Sequence, residues 1–151
     1  MAFKIPESVL VVVHTPDLDV LLLERAGARG FWQSVTGSRE EGDADLAGTA
    51  CRELLEETGL YAGSLRDWRL RQQYEIWPQW RARYAPEVTH NTEHVFGFQV
   101  PAPSQVRLDP REHVDQCWLP WREAMEKVFS PTNRDAIWQL PRRMARDTAP
   151  A

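Results

Sequence analysis

Short apolar runs separated by turn residues recur along the chain, and they predict strands gathered around one early helix, with two further helices at the end. Ser8 to His14 carries Val9-Leu10-Val11-Val12-Val13, a continuous apolar run closed by Thr15-Pro16-Asp17, which reads as a buried strand. Val20 to Arg25 is expected to fold back on it as a hairpin partner. After the Gly27-Ala28-Arg29-Gly30 loop, Phe31 to Gly37 reads as a short strand. Leu65 to Trp77 has β-forming residues interleaved with Arg and Gln, a long strand with one wet face, and Thr92 to Val100 is the next strand beyond a polar aromatic segment. Pro101 to Pro110 is a loop, and His113 to Leu119 reads as the last strand. Pro120 suits the first position of a helix to about Phe129, and Ser130-Pro131-Thr132-Asn133 announces another, Asp135 to Met144, which Pro141 should disturb.

The early helix has the clearest pattern. It should start after Asp43 or Asp45, either of which can accept from free N–H groups, and Gly59 stands where a left-handed residue ends a helix. Ala47, Ala50, Cys51, Leu54 and Leu55 are expected to form its packing side. Glu53, Glu56 and Glu57 fall at i, i+3 and i+4, so three carboxylates share the other face, which should meet solvent or a cation. Like charges at these spacings destabilise an isolated helix by about 0.2–0.5 kcal/mol per pair. Oxygen ligands without His or Cys beside them suit Mg²⁺ or Mn²⁺.

At 151 residues and 42% hydrophobic content the chain fits one domain spanning residues 1–151, of α+β class or a helix–sheet–helix sandwich. A net charge of −4 argues against a general binder of nucleic acid or anionic membranes. The longest apolar run is far too short for a membrane helix, and the N-terminus lacks the pattern of a secretory signal, so a soluble cytoplasmic protein is expected. Cys51 and Cys117 have neither zinc nor redox-pair spacing and read as buried thiols. Most of the seven Trp, Trp118 and Trp138 among them, sit in periodic contexts that read as core, whereas Trp32, Trp77 and Trp80 flank polar loops and suit stacking.

Gly37, followed by Arg52, Glu53, Leu54, Glu56, Glu57, Gly59 and Leu60 in register, resembles the signature of the Nudix hydrolases. The first half departs from it twice. Asp43 stands where the signature has glutamate, and eight residues, one more than usual, separate it from Arg52. The resemblance implies the Nudix fold, a mixed sheet sandwiched between helices. It also implies a pyrophosphohydrolase whose metal ligands are Glu53 and Glu57, with Arg52 orienting the carboxylates. Glu56 is either a third ligand or the group that takes a proton from water. Glu53, Glu56 and Arg52 are thus the catalytic candidates.

Three further blocks, Phe31 to Ser38, Arg83 to Glu93, and Glu112-His113 with Trp118-Leu119, are similar to the bacterial dihydroneopterin triphosphate pyrophosphatases of folate biosynthesis. That narrower resemblance implies Mg²⁺-dependent conversion of the pterin triphosphate to its monophosphate with release of pyrophosphate. It implies Glu112 as a further metal ligand, and Lys4, Arg25, Thr36, the stretch Tyr74-Glu75-Ile76-Trp77, and Ser130 as substrate contacts. Glu75 is the candidate for gripping the amino and ring N–H groups of a pterin. The competing expectations are the same chemistry on ordinary or oxidised nucleoside triphosphates or dinucleoside polyphosphates, and a non-catalytic nucleotide-binding module. The intact carboxylate set argues against the last.

Overall fold

The computed structural model describes residues 2–148. Strand β1 (Glu7–His14) lies inside a seven-stranded mixed sheet with β2 (Asp19–Arg25), β3 (Trp32–Gln33), β4 (Val35–Ser38), β5 (Ser64–Glu75), β6 (His90–Gln99) and β7 (His113–Pro120). Helix α1 (Leu46–Thr58) follows β4, while α2 (Trp121–Lys127) and α3 (Pro131–Thr148) close the chain. A 3₁₀ turn, Pro78–Arg83, follows β5.

Alternation along β1 assigns the layers. Val9, Val11 and Val13 pack with Ala50 and Leu54 of α1 and with Phe96 and Phe98 of β6. Leu10 and Val12 pack on the opposite face with Ala124 of α2 and Ala136, Ile137 and Leu140 of α3. A strand whose side chains point alternately to two covered faces reads as an unbroken apolar run. The expected α+β architecture, a mixed sheet sandwiched between helices, is therefore what the chain builds.

The Val20 to Arg25 hairpin is only partly formed. β1 meets β2 at His14↔Val20, while β4 takes the other half of that edge, Ser8↔Ser38 to Val11↔Val35. β6 runs parallel to the whole of β1 on its second edge. The main partner of β2 is instead β7, from Asp19↔Pro120 to Arg25↔His113. The predicted strand from Phe31 to Gly37 is broken at Ser34, because β3 pairs with β2 and β4 with β1.

Four other expectations need correction. Helix α3 runs unbroken through Pro141. An interior proline forfeits a helical hydrogen bond at a cost of about 3 kcal/mol, but Ile137, Leu140 and Met144 dock on one core on both sides of it. Pro120 is the cap of α2 and lies before its first turn. Cys51 is exposed and Cys117 half-buried, and Trp138 is 42% exposed, its ring 3.1 Å below the Arg142 guanidinium instead of in the core.

Candidate active site

Helix α1 starts at Asp45, whose side chain accepts from the Gly48 N–H at 2.7 Å, and ends at Gly59, where φ is 73°. These caps set where the helix begins and ends, and the face it buries differs from the expected one. Glu53 and Glu57 are buried with Ala50 and Leu54, whereas Ala47, Cys51 and Leu55 are exposed. The carboxylates do not share one solvated face. Two of them turn inward against β4, and Glu56, 56% exposed on its side chain, remains outside.

Arg52 organises this end of the helix. Its Nε and Nη2 each donate at 3.0 Å to the two oxygens of Asp43, Nη2 also donates to the Ser38 carbonyl, and Nη1 donates to Glu53 at 2.9 Å and Glu56 at 3.3 Å. The Thr49 hydroxyl and the Glu40 N–H complete the set of donors around Asp43. These donors, Arg52 first, hold its carboxyl well below the usual range. Asp43 thus serves as the anchor of the arginine, despite both departures in its spacing.

Glu53 lies so close to Gly37 that a Cβ there would fall on its carboxylate. Burial pushes Glu53 up to about 7, with Arg52 opposing and Glu56 adding to the shift. Glu57 accepts from the Thr36 N–H at 3.3 Å and is raised well above its ordinary value, by burial first and then by Glu53 and Glu112. Glu112 faces them from the turn before β7. Its carbonyl takes the Ala26 N–H at 2.9 Å, fixing it beside the end of β2 and Arg25.

These groups open on a groove of about 1180 Å³. At one end Lys4, Arg25 and Arg83 oppose the acids. Lys4 is exposed at the mouth, yet its amine lies among enough protein to be desolvated, and burial and Arg83 hold it below the usual lysine range. Its backbone N–H donates to the Arg83 carbonyl at 2.9 Å, which brings the N-terminal segment to the 3₁₀ turn. Arg25 stacks 4.6 Å over the Trp80 ring and donates to Gln33 at 3.2 Å. Trp80 lies 5.8 Å from Trp77 and 6.1 Å from Phe129, so Arg25 adjoins an aromatic cluster in which Trp77 and Phe129 meet edge to face at 5.4 Å and Phe31 stacks on Phe129 at 4.7 Å.

The NUDIX domain family model matches residues 4–140. The chain belongs to the Nudix family. It is 40% identical over 142 residues to the dihydroneopterin triphosphate diphosphatase of Haemophilus influenzae, covering 91% of this chain and 88% of that one. The Escherichia coli protein of the same name is 39% identical over 143 residues, covering 91% and 93%. The structure of the E. coli dihydroneopterin triphosphate pyrophosphohydrolase superposes with a TM-score of 0.85 at 38% identity, covering 92% of this chain and 97% of that one. A Caenorhabditis elegans Ap4A hydrolase complex, at 16% identity and a TM-score of 0.71, shares the fold.

Nudix hydrolases depend in general on divalent metals, and the acids present here fit one. Glu53 and Glu57 are buried, mutually repelling and faced by Glu112, a set of hard oxygens whose charge a divalent cation would offset. Among the described residues no three acidic, His or Cys side chains close on a common ligating point.

Lys4, Arg25, Thr36, Tyr74, Ile76, Trp77 and Ser130 all line the groove, as do Glu53, Glu56, Glu57 and Glu112. Glu75 does not. It is exposed, because strand alternation puts Tyr74 and Ile76 on the groove side and Glu75 on the other. Trp80 is at the groove, but Trp32 lies outside it under Lys127, at 4.7 Å. Sequence reasoning missed Phe129, Asn133 and Glu93 as lining residues. Asn133 could have been suspected from its place in the first turn of α3. Its side chain takes the Ser34 N–H at 2.8 Å and donates to the Ser34 hydroxyl at 3.0 Å, bracing the break between β3 and β4. Glu93 closed the Arg83 to Glu93 block but drew no role, since an acid inside an alternating strand usually marks the wet face.

Proposed function

We propose that this Nudix hydrolase converts dihydroneopterin triphosphate to dihydroneopterin monophosphate and pyrophosphate, with Mg²⁺ as the natural cofactor. The observation that carries the reading is the likeness, at about 40% identity over nine tenths of the chain, to enzymes that bear this substrate in their names. The groove supports it, because acids, cations and an aromatic cluster that adjoins Arg25 line one cavity.

In this reading Glu53, Glu57 and Glu112 hold the metal, which when bound neutralises phosphate charge and lowers the pKa of a coordinated water. Arg52 is a positioning residue that fixes Glu53 and Glu56 through one nitrogen. Thr36 does the same for Glu57 through its backbone N–H. Glu56, solvated at the rim, serves as spare ligand or takes the proton of the attacking water. Lys4, Arg25 and Arg83 meet the phosphate oxygens, where charge develops on the leaving pyrophosphate. Trp77, Trp80 and Phe129 flank the ring.

A substrate panel with Mg²⁺, scoring pyrophosphate and orthophosphate separately, tests it. Preferred turnover of the pterin triphosphate with pyrophosphate release is expected. Preference for a purine triphosphate would transfer the reading to nucleotide hydrolysis, and no release from any triphosphate would leave a binding module.

A further inference from the structure

Glu93 is a buried acid that the chemistry above does not use. It lies in the middle of β6, between Ser8 of β1 and Gln72 of β5, and its side chain belongs to the groove lining. The residue is 4% exposed, and its Oε1 has no hydrogen-bond partner. The Thr132 hydroxyl lies beside the carboxylate and is itself 3.0 Å from the Ser130 hydroxyl. No Lys or Arg pairs with Glu93 among the described ion pairs. A carboxylate kept from water with an unfilled acceptor costs several kcal/mol unless something donates to it.

We propose that Glu93 selects the heterocycle, its carboxylate accepting paired hydrogen bonds from an adjacent amino group and ring N–H. The heterocycle it takes is an amino-lactam such as a pterin or a guanine. This rests on the reading of a heterocyclic triphosphate as substrate and assigns to Glu93 the part expected of Glu75. The placement suits it. Thr132 and Ser130 lead from Glu93 directly to Phe129 and the aromatic slot, and Tyr74, beside Glu93 in the groove, donates or accepts at the ring edge. Adenine offers no such donor pair, and hypoxanthine keeps the ring N–H but lacks the amino group. Asn133, the nearest alternative, has both side-chain ends engaged by Ser34.

The test compares wild type with Glu93→Gln on dihydroneopterin triphosphate, GTP, ITP and ATP with Mg²⁺, reading kcat and KM separately. Glutamine is an isostere of the protonated acid, so a merely structural role survives it. Wild type should favour GTP over ITP by at least about tenfold, and Glu93→Gln should cost the pterin and GTP about 10–100-fold more in kcat/KM than ITP and ATP, mostly through KM. A wild-type GTP to ITP ratio near one, or a loss spread equally over all four substrates, overturns the proposal. Failure on the pterin alone, with the GTP contrast intact, overturns the substrate reading and leaves Glu93 as the selector. Quenching of Trp fluorescence by GTP and ITP reads the same contrast in binding where turnover is absent. Glu93→Asp, which withdraws the carboxylate by one methylene, should lose the contrast too and serves where the glutamine variant does not fold.

Discussion

Asp43 and Arg52 form a fork, with Nε and Nη2 each 3.0 Å from a separate carboxylate oxygen, and the Asp43 side chain is only 7% exposed. The pair ties the loop before α1 to the middle of the helix and leaves Nη1 free to hold Glu53 and Glu56. Asp43→Ala removes the anchor and leaves Nε of a 21%-exposed Arg52 side chain without its acceptor. It should destabilise the protein by about 2–4 kcal/mol and lower kcat/KM by about tenfold or more. Urea unfolding and steady-state kinetics on one preparation check both. Full activity in a folded variant would show that Arg52 needs no anchor.

Gly37→Ala should be far more harmful than a usual Gly to Ala change, because the new Cβ would occupy the place of the Glu53 carboxylate. The expected result is a folded protein with activity reduced at least about 100-fold and weakened Mn²⁺ binding by calorimetry. Near-normal metal affinity would mean that Glu53 can move aside without loss.

Glu57→Gln should abolish turnover while leaving stability equal or higher in the absence of metal, since it removes a buried charge that repels Glu53 and Glu112. Thermal melts with and without Mg²⁺ measure this. The variant should also lose most of the metal-induced rise in Tm.

The buried acids give the ion-free protein a definite pH response. Glu53 is held at about 7 against an ordinary value of 4.5, and Glu57 is raised in the same direction. The folded state therefore binds more protons than the unfolded chain between these values, and stability falls as pH rises from about 4.5 to about 7. Each group contributes at most about 1.4 kcal/mol per pH unit. Asp43, held low, acts oppositely, and its stabilisation is lost as pH falls below its ordinary 3.8. Unfolding in chelator across this range should show the decline, and saturating Mg²⁺ should flatten it. Glu93, held at about 7, adds to the decline, and His113, held at about 4 against its ordinary 6.5, opposes it. The three acids together should outweigh the one histidine, and a stability that rises over that window would contradict their burial.

Glu75→Gln should leave kcat/KM for every triphosphate within about twofold, because the side chain points away from the groove. A selective loss on the pterin would return the recognition role to it.

What the sequence determined by itself is local. The periodic run Val9 to Val13, the caps Asp45 and Gly59, and the strand limits are set by a few neighbouring residues, so they read correctly to within a residue or two. The order from Arg52 to Leu60 likewise carried the resemblance to the Nudix signature, and helical spacing alone brings Glu53 and Glu57 within one turn. Tertiary structure decided the rest. Helical spacing cannot say which arc faces the sheet, and only packing against β4 turned Glu53 and Glu57 inward while leaving Cys51 and Leu55 in water. Glu112 joins them because β7 pairs with β2, a relationship between segments about ninety residues apart. Strand phase separated Glu75 from Tyr74, and burial at the groove wall made Glu93 an acid in need of a donor. Each of these depends on what covers a side chain, a property of the folded surface and not of its neighbours in the chain.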